Sequence, residues 1–509
     1  MRYFYFLITS ILLVSCNTSN SETTNTRPNI IYFLADDLGY GEIGINGQSI
    51  IKTPHIDALA NSGMLFTQHY SGAPVCAPAR YMLLTGLHAG HAYIRGNDEW
   101  AERGEVWNYE LASNDPAFEG QRPIPESTIT IGHKLQEAGY TTGIFGKWGL
   151  GAPNTEGVPN RQGFDEFFGY NCQRQAHNLY PPHLWKNDEK IILNNDLVAP
   201  RTKLDSLADP YNDISYSKYN QKEYAPTVIH KEALRFIEHN KNEPFFMYYA
   251  SPLPHLPLQA PLDEVERYKK QLGNEEPYLG NKGYFPNRNP RATYAAMISY
   301  LDQQLGEVVS LLKELDLYDN TIIIFSSDNG PTYTGGVDFD YFESSLPFQN
   351  GYGKTKGYVY EGGIRVPTIV SWPNRIKPGT QSNHISSFYD VMPTLCEIAG
   401  ISPPEKIDGI SFANELIGKE QLAHEFLYWE FPSYNGQQAV RMGKWKAIRK
   451  DIFDGNLNIE LYDLDSDIAE TTDVSKNHPD IIKQIELIMD KEHTPSKNDR
   501  FKFEALGDK

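Results

Sequence analysis

Four apolar runs in the sequence each stop at residues able to do chemistry. Asn29–Ala35 ends at Asp36-Asp37, and residues 321–326 lead past Ser327 to Asp328-Asn329-Gly330. Residues 141–145 run into Gly146-Lys147, and residues 244–250 lead through residues 251–254 to His255. Asp also favours turns and helix caps, so one such pair says little. Two sets on like runs, each followed within two residues by Gly, say more. Asp36, Asp37, Asp328 and Asn329 together offer three carboxylates and one amide oxygen. That hard, all-oxygen set suits Ca²⁺ or Mg²⁺ better than Zn²⁺ and leaves coordination room for oxygens of a substrate and a nucleophile. Cys76, Pro78 and Arg80 form a second constellation. Pro78 fits the first turn of a helix, which sets Cys76 at a helix N-terminus that favours anions. Arg80, one turn on, is able to point back at the same spot. Unmodified, Cys76 reads either as a thiolate nucleophile or as a buried structural residue.

Something must bring these tips together, and the pattern of the chain supplies it. Continuous apolar runs such as 29–35, 141–145, 244–250 and 321–326 read as parallel strands buried on both faces. Helical stretches at 129–138, 225–239 and 294–315 lie between them. Alternating strands and helices predict an α/β fold with a mostly parallel central sheet flanked by helices, whose strand ends at one edge collect the site. After Pro403-Pro404 the character changes to short strands at 425–431, 438–442, 444–449 and 460–462, with a hairpin turn at Met442-Gly443, and a closing helix at 479–491. Residues 403–509 are thus expected to form a smaller antiparallel sheet-plus-helix subdomain beside a catalytic domain over 28–402. Residues 188–222 read as a polar surface excursion.

The chain has 509 residues and a net charge of −19, which argues against nucleic-acid binding and requires any anionic substrate to be held by a local positive pocket. Arg2, an apolar run over 3–14 and Leu13-Val14-Ser15-Cys16 resemble a bacterial lipoprotein signal, in which Cys16 is lipidated. Residues 17–27 then form a polar tether. The protein is expected to be exported to the periplasm or the outer-membrane surface, touching membrane only through that lipid.

Cys76-x-Pro78-x-Arg80 followed by Thr85-Gly86 resembles the signature of the formylglycine-dependent (type I) sulfatases of the alkaline phosphatase superfamily, bacterial carbohydrate sulfatases among them. Arg27-Pro28-Asn29, residues 35–41, Thr53-Pro54-His55-Ile56-Asp57, Gly146-Lys147-Trp148, Pro254-His255, Ser327-Asp328-Asn329-Gly330, residues 356–367 and residues 460–464 are similar to the same family, in the same order. The resemblance implies that a formylglycine-generating enzyme oxidises Cys76, and that the hydrated aldehyde attacks sulfur and later expels sulfate. It implies one divalent cation, Ca²⁺ or Mg²⁺, held by Asp36, Asp37, Asp328 and Asn329 with residue 76. Arg80, Lys147 and Lys356 would hold the sulfate oxygens, and His255 with Lys356 would protonate the leaving group. The implied activity is hydrolysis of sulfate esters on carbohydrate, exo-acting on polysaccharide-derived oligosaccharides.

One position departs from the family pattern. Many relatives read Gly-Lys-Trp-His-Leu-Gly where this chain has Gly149, and that histidine is credited with a proton transfer in sulfate release. His177 is expected to fill the space that Gly149 opens. His88, His91, Arg95, Asn97, Gln173, Arg174 and His183 are further candidates for binding the sugar. Cys172 and Cys396 remain after Cys16 and Cys76, and export permits a disulfide between them. Two other functions stay open: a phosphatase or phosphodiesterase of the same superfamily, which generally uses Ser or Thr with two zinc ions and more His ligands, and a non-catalytic lipoprotein that binds sulfated glycan.

Overall fold

The computed structural model describes Met1 and residues 27–509; the signal, Cys16 and most of the tether lie outside the described residues. The strands in chain order are β1 (Asn29–Ala35), β2 (Met64–Phe66), β3 (His69–Tyr70), β4 (Thr141–Lys147), β5 (Glu166–Tyr170), β6 (His183–Lys186), β7 (Glu189–Ile192) and β8 (Phe245–Ala250). They continue with β9 (Thr321–Ser327), β10 (Thr368–Ser371), β11 (Thr380–Ser382), β12 (Ser386–Ser387), β13 (Leu427–Phe431), β14 (Gln437–Met442), β15 (Trp445–Lys450) and β16 (Ile459–Asp463). Ten of them make one sheet in the order β11-β2-β10-β9-β1-β8-β4-β5-β6-β7. Its centre, from β9 to β5, is parallel; β6 and β7 extend one side in antiparallel pairs, and on the other β10 lies antiparallel to both β9 and β2, with β11 parallel to β2 at the edge.

Register brings the chemistry to one line. Ala35 pairs with Ser327, so Asp36 and Asp328 emerge side by side. Leu34 pairs with Ala250, and Ala250 with Gly146, which sets Lys147 and the chain leading to His255 level with them. Alternate residues of β1 enter opposite cores, Ile31 and Phe33 on one face and Ile30, Tyr32 and Leu34 on the other, as a two-sided strand requires. The helices Ala225–His239 and Pro290–Glu314 cover the first face, while Cys76–Thr85, Ile131–Glu137 and Val391–Ala399 cover the second.

Element ends moved where local chemistry intervened. The helix expected from residue 129 starts at Ile131 because the Thr130 side chain caps it, accepting from the His133 N–H. The long helix begins earlier, at Pro290, whose missing N–H costs nothing there. The hairpin turn lies one residue later than expected, at Gly443-Lys444, since Met442 pairs with Trp445. Residues 188–222 are not wholly irregular: Glu189–Ile192 pairs with β6 and extends the main sheet.

The antiparallel sheet β13-β14-β15-β16 packs one face on Tyr70, Val75, Val359, Tyr360 and Ile364 of the main body. The helix Pro479–Glu492 covers its other face through Ile485 and Met489. Val75 immediately precedes Cys76, so the small sheet backs the loop that carries the nucleophile candidate. No helix among the described residues is long and apolar enough to cross a membrane.

Candidate active site

Cys76 opens the helix Cys76–Thr85, with Val75 extended before it and Gly86 in the left-handed conformation behind it. Its Sγ donates to Asp36 Oδ1 at 3.4 Å, and Asp37 Oδ1 lies 4.0 Å away. Asp37 has φ 66°, an unusual conformation for a residue with a side chain, and it turns the second carboxylate back beside the first. Asn329 Nδ2 donates to Asp37 Oδ1 at 2.8 Å. Asp328 Oδ1 accepts from the Asp37 N–H at 3.1 Å, so the two strand ends are laced together. Position 76, the three carboxylates and the amide thus meet in one cluster.

Three cations thread the same cluster. Lys147 Nζ donates to Asp36 Oδ2 at 2.6 Å, and Lys356 Nζ to Asp37 Oδ2 at 2.6 Å while lying 3.8 Å from Cys76 Sγ. Arg80 donates through Nε and Nη2 to Asp328 Oδ2 at 3.1 and 2.9 Å, and through Nη1 to the Lys147 carbonyl at 2.5 Å. With those donors taken and no surface exposed, Arg80 fixes Asp328 and Lys147 in place. Gly146 makes room for the lysine strand: its φ is 125°, and a Cβ there would meet the Ala250 carbonyl oxygen at 1.8 Å.

Burial and charge set the protonation states. Burial opposes ionisation of Asp36, but Lys147, His255, Arg80 and Lys356 outweigh it and hold the carboxyl well below the usual range. Asp37 and Asp328 are pushed up by burial and by the neighbouring Asp36. Burial, reinforced by Asp36, pushes the Cys76 thiol far up despite the two lysines. A thiol held protonated in this way is a poor nucleophile.

Asn329 Oδ1 is buried and has no hydrogen-bond partner. A bare amide oxygen among carboxylates is costly unless something else accepts its lone pairs, and a hard cation does so. The donor set therefore fits one divalent cation held by Asp36, Asp37, Asp328 and Asn329 beside residue 76.

His255 Nδ1 donates to the Leu256 carbonyl at 2.6 Å, which aims Nε2 into the cluster, 3.6 Å from Asp37 Oδ2. His177 stacks on it with ring centroids 5.2 Å apart and planes 10° apart. Burial, together with Lys147 and Lys356, holds both imidazoles well below the usual range, and His255 adds to the effect on His177. His177 therefore lies within the site, stacked on His255, and Gln173 is the side chain nearest to the Gly149 backbone. A Cβ at Gly149 would meet Gln173 Oε1 at 3.4 Å and Gln173 Cβ at 3.6 Å, so Gln173 faces that space. The short helix Gln173–His177 sets its first residue against Gly149 and its last over His255. Tyr284 was not foreseen. It has φ 60° and meets His177 and His255 edge-on at 5.5 and 6.0 Å. Gly283-Tyr284 reads in sequence as an ordinary turn.

Comparison with known proteins fits this geometry. The family model described as Sulfatase matches residues 28–401, and that described as N-sulphoglucosamine sulphohydrolase, C-terminal, matches residues 352–494. The chain belongs to the sulfatase family. It is a sulfuric ester hydrolase of the alkaline phosphatase superfamily. An N-acetylgalactosamine-6-O-sulfatase of Bacteroides thetaiotaomicron is 28% identical over 94% of this chain and 96% of its own. The N-acetylgalactosamine-6-sulfatase of Rattus norvegicus is 30% identical over 82% of this chain and 71% of its own. The solved structure of Ps i-CgsB in complex with k-i-k-neocarrahexaose superposes with TM-score 0.72 at 26% identity, covering 92% of each chain.

Several candidates for sugar contact in this sulfatase are engaged elsewhere. His88, His91 and Arg95 follow the signature helix in the chain and are tied to acids far along the sequence. His88 Nε2 meets Glu492 at 3.0 Å, His91 Nδ1 meets Asp408 at 2.8 Å, and Arg95 pairs with buried Glu430. His183 is buried against Glu119 at 3.2 Å. These four hold loops together. Asn97 is different: its Oδ1 accepts from the Ala77 N–H at 3.2 Å, which sets it, exposed, beside position 76. Arg174 stacks on the Trp107 ring at 4.6 Å and bonds the Trp107 carbonyl. Cys172 and Cys396 are both free thiols, and Cys172 points at Glu99 and the Gly120 carbonyl.

Proposed function

We propose that this sulfatase is an exported carbohydrate sulfatase that removes terminal sulfate esters from polysaccharide-derived oligosaccharides, using formylglycine made from Cys76 by a maturating enzyme. The observation that carries the reading is the convergence of Cys76 Sγ, 3.4 Å from Asp36, with Lys147, Lys356 and Arg80 around it. Carbohydrate as the substrate class rests on relatives named for N-acetylgalactosamine-6-sulfate and on a neighbour solved with an oligosaccharide. A hexosamine 6-sulfate is therefore the first sugar to test. Terminal action rests on burial: Cys76, Asp36, Arg80 and Lys147 show no surface, and Lys356 alone of the three cations reaches it, with a side chain 15% exposed.

A bound Ca²⁺ would draw charge from the sulfate and orient the nucleophile at position 76. The chain's own residues supply the rest. Lys147 and Lys356 bring positive charge to the ester oxygens in a site that excludes water, where each is worth more than at a surface. Arg80 keeps Asp328 and Lys147 aligned. Once an anionic sulfate ester is bound, its charge offsets the lysines that keep the His255 imidazole neutral, so that Nε2, aimed by the Nδ1 bond to Leu256, takes up the proton it passes to the departing oxygen, with Lys356 beside it. The two-zinc phosphatase reading finds a single imidazole, His255, in the cluster around Cys76 among the described residues. Export and a lipid on Cys16 belong to the same proposal and rest on the N-terminal sequence.

The test is desulfation of a panel of defined sulfated mono- and oligosaccharides by enzyme whose residue 76 is shown by mass spectrometry to be the aldehyde. Release from a hexosamine 6-sulfate is expected, lost in Cys76→Ala and on chelation, and restored by Ca²⁺. Hydrolysis of nitrophenyl phosphate in preference to nitrophenyl sulfate would overturn it.

A further inference from the structure

The loop that carries Lys356 has a second face. Its backbone is pinned just after the lysine, with the Gly357 N–H donating to the Pro74 carbonyl at 2.8 Å and the Gly357 carbonyl accepting from Gln437 Nε2 at 2.8 Å. Around it opens a cleft of 560 Å³ lined by Tyr352, Lys354, Tyr358, Tyr434, Lys450 and Asp451. The cleft lies between the main body and the small antiparallel sheet, and the sequence reading assigned it nothing.

Its aromatic walls are continuous. Tyr333 meets Tyr352 at 5.4 Å, Tyr352 meets Tyr358 at 5.6 Å, and Tyr358 meets Tyr434 at 5.3 Å, all edge-on. Tyr352 is 75% exposed and Tyr434 47%, an arrangement that leaves large ring surface in water. The same segment touches the mouth of the active site. Two residues beyond Tyr333, Gly335 packs against Tyr284, the ring that meets His177 and His255. The tyrosine row thus runs from the cleft towards the ring that meets the site histidines, and Tyr434 of the cleft packs on Gly357, next to Lys356.

Its lining carries two lysines and one carboxylate. Lys450 is paired with Glu460 at 2.7 Å, and Asp451 keeps its charge on the small-sheet wall, bonded to the neutral Asn435 amide at 3.0 Å. Lys354 sits over the Tyr360 ring at 3.5 Å and forms no ion pair among the described residues. Burial lowers its pKa, with Glu470 and Glu460 pulling the other way, but both carboxylates are committed to Lys446, Lys450 and backbone or tyrosine donors. An unpaired, half-buried cation in a chain of net charge −19 is a place for an anion. Flat rings beside it suit the apolar face of a sugar.

We propose that this tyrosine-lined cleft is a second sugar subsite, taking an anionic unit, sulfated or carboxylated, adjacent to the unit whose sulfate is cleaved, with Lys354 meeting its charge. The inference rests on the carbohydrate reading above and deepens it: the preferred substrate is an oligosaccharide with a second anion.

The experiment compares wild-type enzyme, Lys354→Gln and Tyr352→Ala on nitrophenyl sulfate, a monosaccharide 6-sulfate, and three disaccharides that share that 6-sulfate. Their neighbouring units are neutral, carboxylated and sulfated. The wild type is expected to favour the anionic disaccharides over the neutral one by about tenfold or more in kcat/KM, the size of one well-placed charged contact. Lys354→Gln should erase that preference through KM, with the monosaccharide and nitrophenyl rates unchanged. Tyr352→Ala should lower kcat/KM for all three disaccharides. The two anionic arms separate sulfate from carboxylate as the recognised group. Desulfation of the monosaccharide with no preference in the wild type, or a preference that survives Lys354→Gln, overturns the subsite alone. Hydrolysis of nitrophenyl sulfate with no sugar desulfated overturns the subsite and the carbohydrate reading together.

Discussion

His255 is the residue whose role has the clearest kinetic signature. Its Nε2 faces Asp37 and the nucleophile position, while Nδ1 is fixed by a backbone carbonyl, so it presents one nitrogen and one orientation to a leaving oxygen. His255→Ala should lower kcat by roughly 10²–10⁴-fold on a sugar sulfate, whose alcohol leaves badly without a proton. Nitrophenolate leaves unaided, so the loss on nitrophenyl sulfate should be much smaller. Equal losses on both substrates would remove His255 as the acid. At this scale the sequence was legible where a residue sits at a strand end: Asp36, Asp328 and Lys147 had only one edge to occupy. It was illegible where the answer depended on a partner far along the chain. His88 and Arg95 have the chemistry of ligand-binding residues, but Glu492 and Glu430, about 400 and 335 positions on, engage them internally. Gln173 and His177 share one short helix, and its turn, which the sequence does not show, sets Gln173 beside Gly149 and His177 over His255.

At the scale of elements, the tail after helix Pro479–Glu492 works as a strap across the loop that follows the signature helix. His493 Nδ1 meets Glu430 at 2.8 Å and its Nε2 meets Asp508 at 3.0 Å. Two carboxylates, one per ring nitrogen, require both nitrogens to donate, which is the charged form. Burial opposes that charge, but the two carboxylates prevail and raise the pKa above its ordinary value. Arg95, which pairs with Glu430 and the Thr494 carbonyl, is the other cation facing this junction. A raised histidine contributes stability that is fully present below the unfolded value of about 6.5 and is lost as pH rises through the folded value. Thermal unfolding midpoints should therefore fall as pH rises above about 6.5 in the wild type and fall less in His493→Gln. Parallel slopes for the two proteins would show that His493 is neutral in the fold. The helix itself was readable from its apolar spacing, whereas the strap was not, because residues 493–508 carry no periodic pattern and are held by scattered polar contacts.

At the scale of the whole molecule, the question is whether the small sheet is a domain or a wall of the active site. The two family models overlap over residues 352–401, the stretch that contains Lys356 and Glu361. The contacts agree with an overlap rather than a joint. Val359, Tyr360 and Ile364 pack in one core with Trp429 and Phe431. Lys446 of β15, with no exposed surface, donates to Glu361 at 2.9 Å and to Glu470 at 3.3 Å. Arg365 reaches Glu361 as well, at 3.1 Å, so charges from both sides of the junction share one buried network. Removing one member of such a network leaves a charge without its partner in a low-dielectric interior, at a cost of about 3–5 kcal/mol. Lys446→Met should lower global stability by that order, and because Glu361 lies five residues from Lys356, catalytic activity and near-ultraviolet circular dichroism should be lost together along one denaturant transition. A fragment ending at residue 402 should not fold, since it would expose the apolar face under β13–β16 and leave Glu361 without Lys446. Two separate transitions, with activity outlasting the unfolding of the small sheet, would instead make residues 403–509 an independent domain and would detach the proposed subsite between the two from the catalytic body.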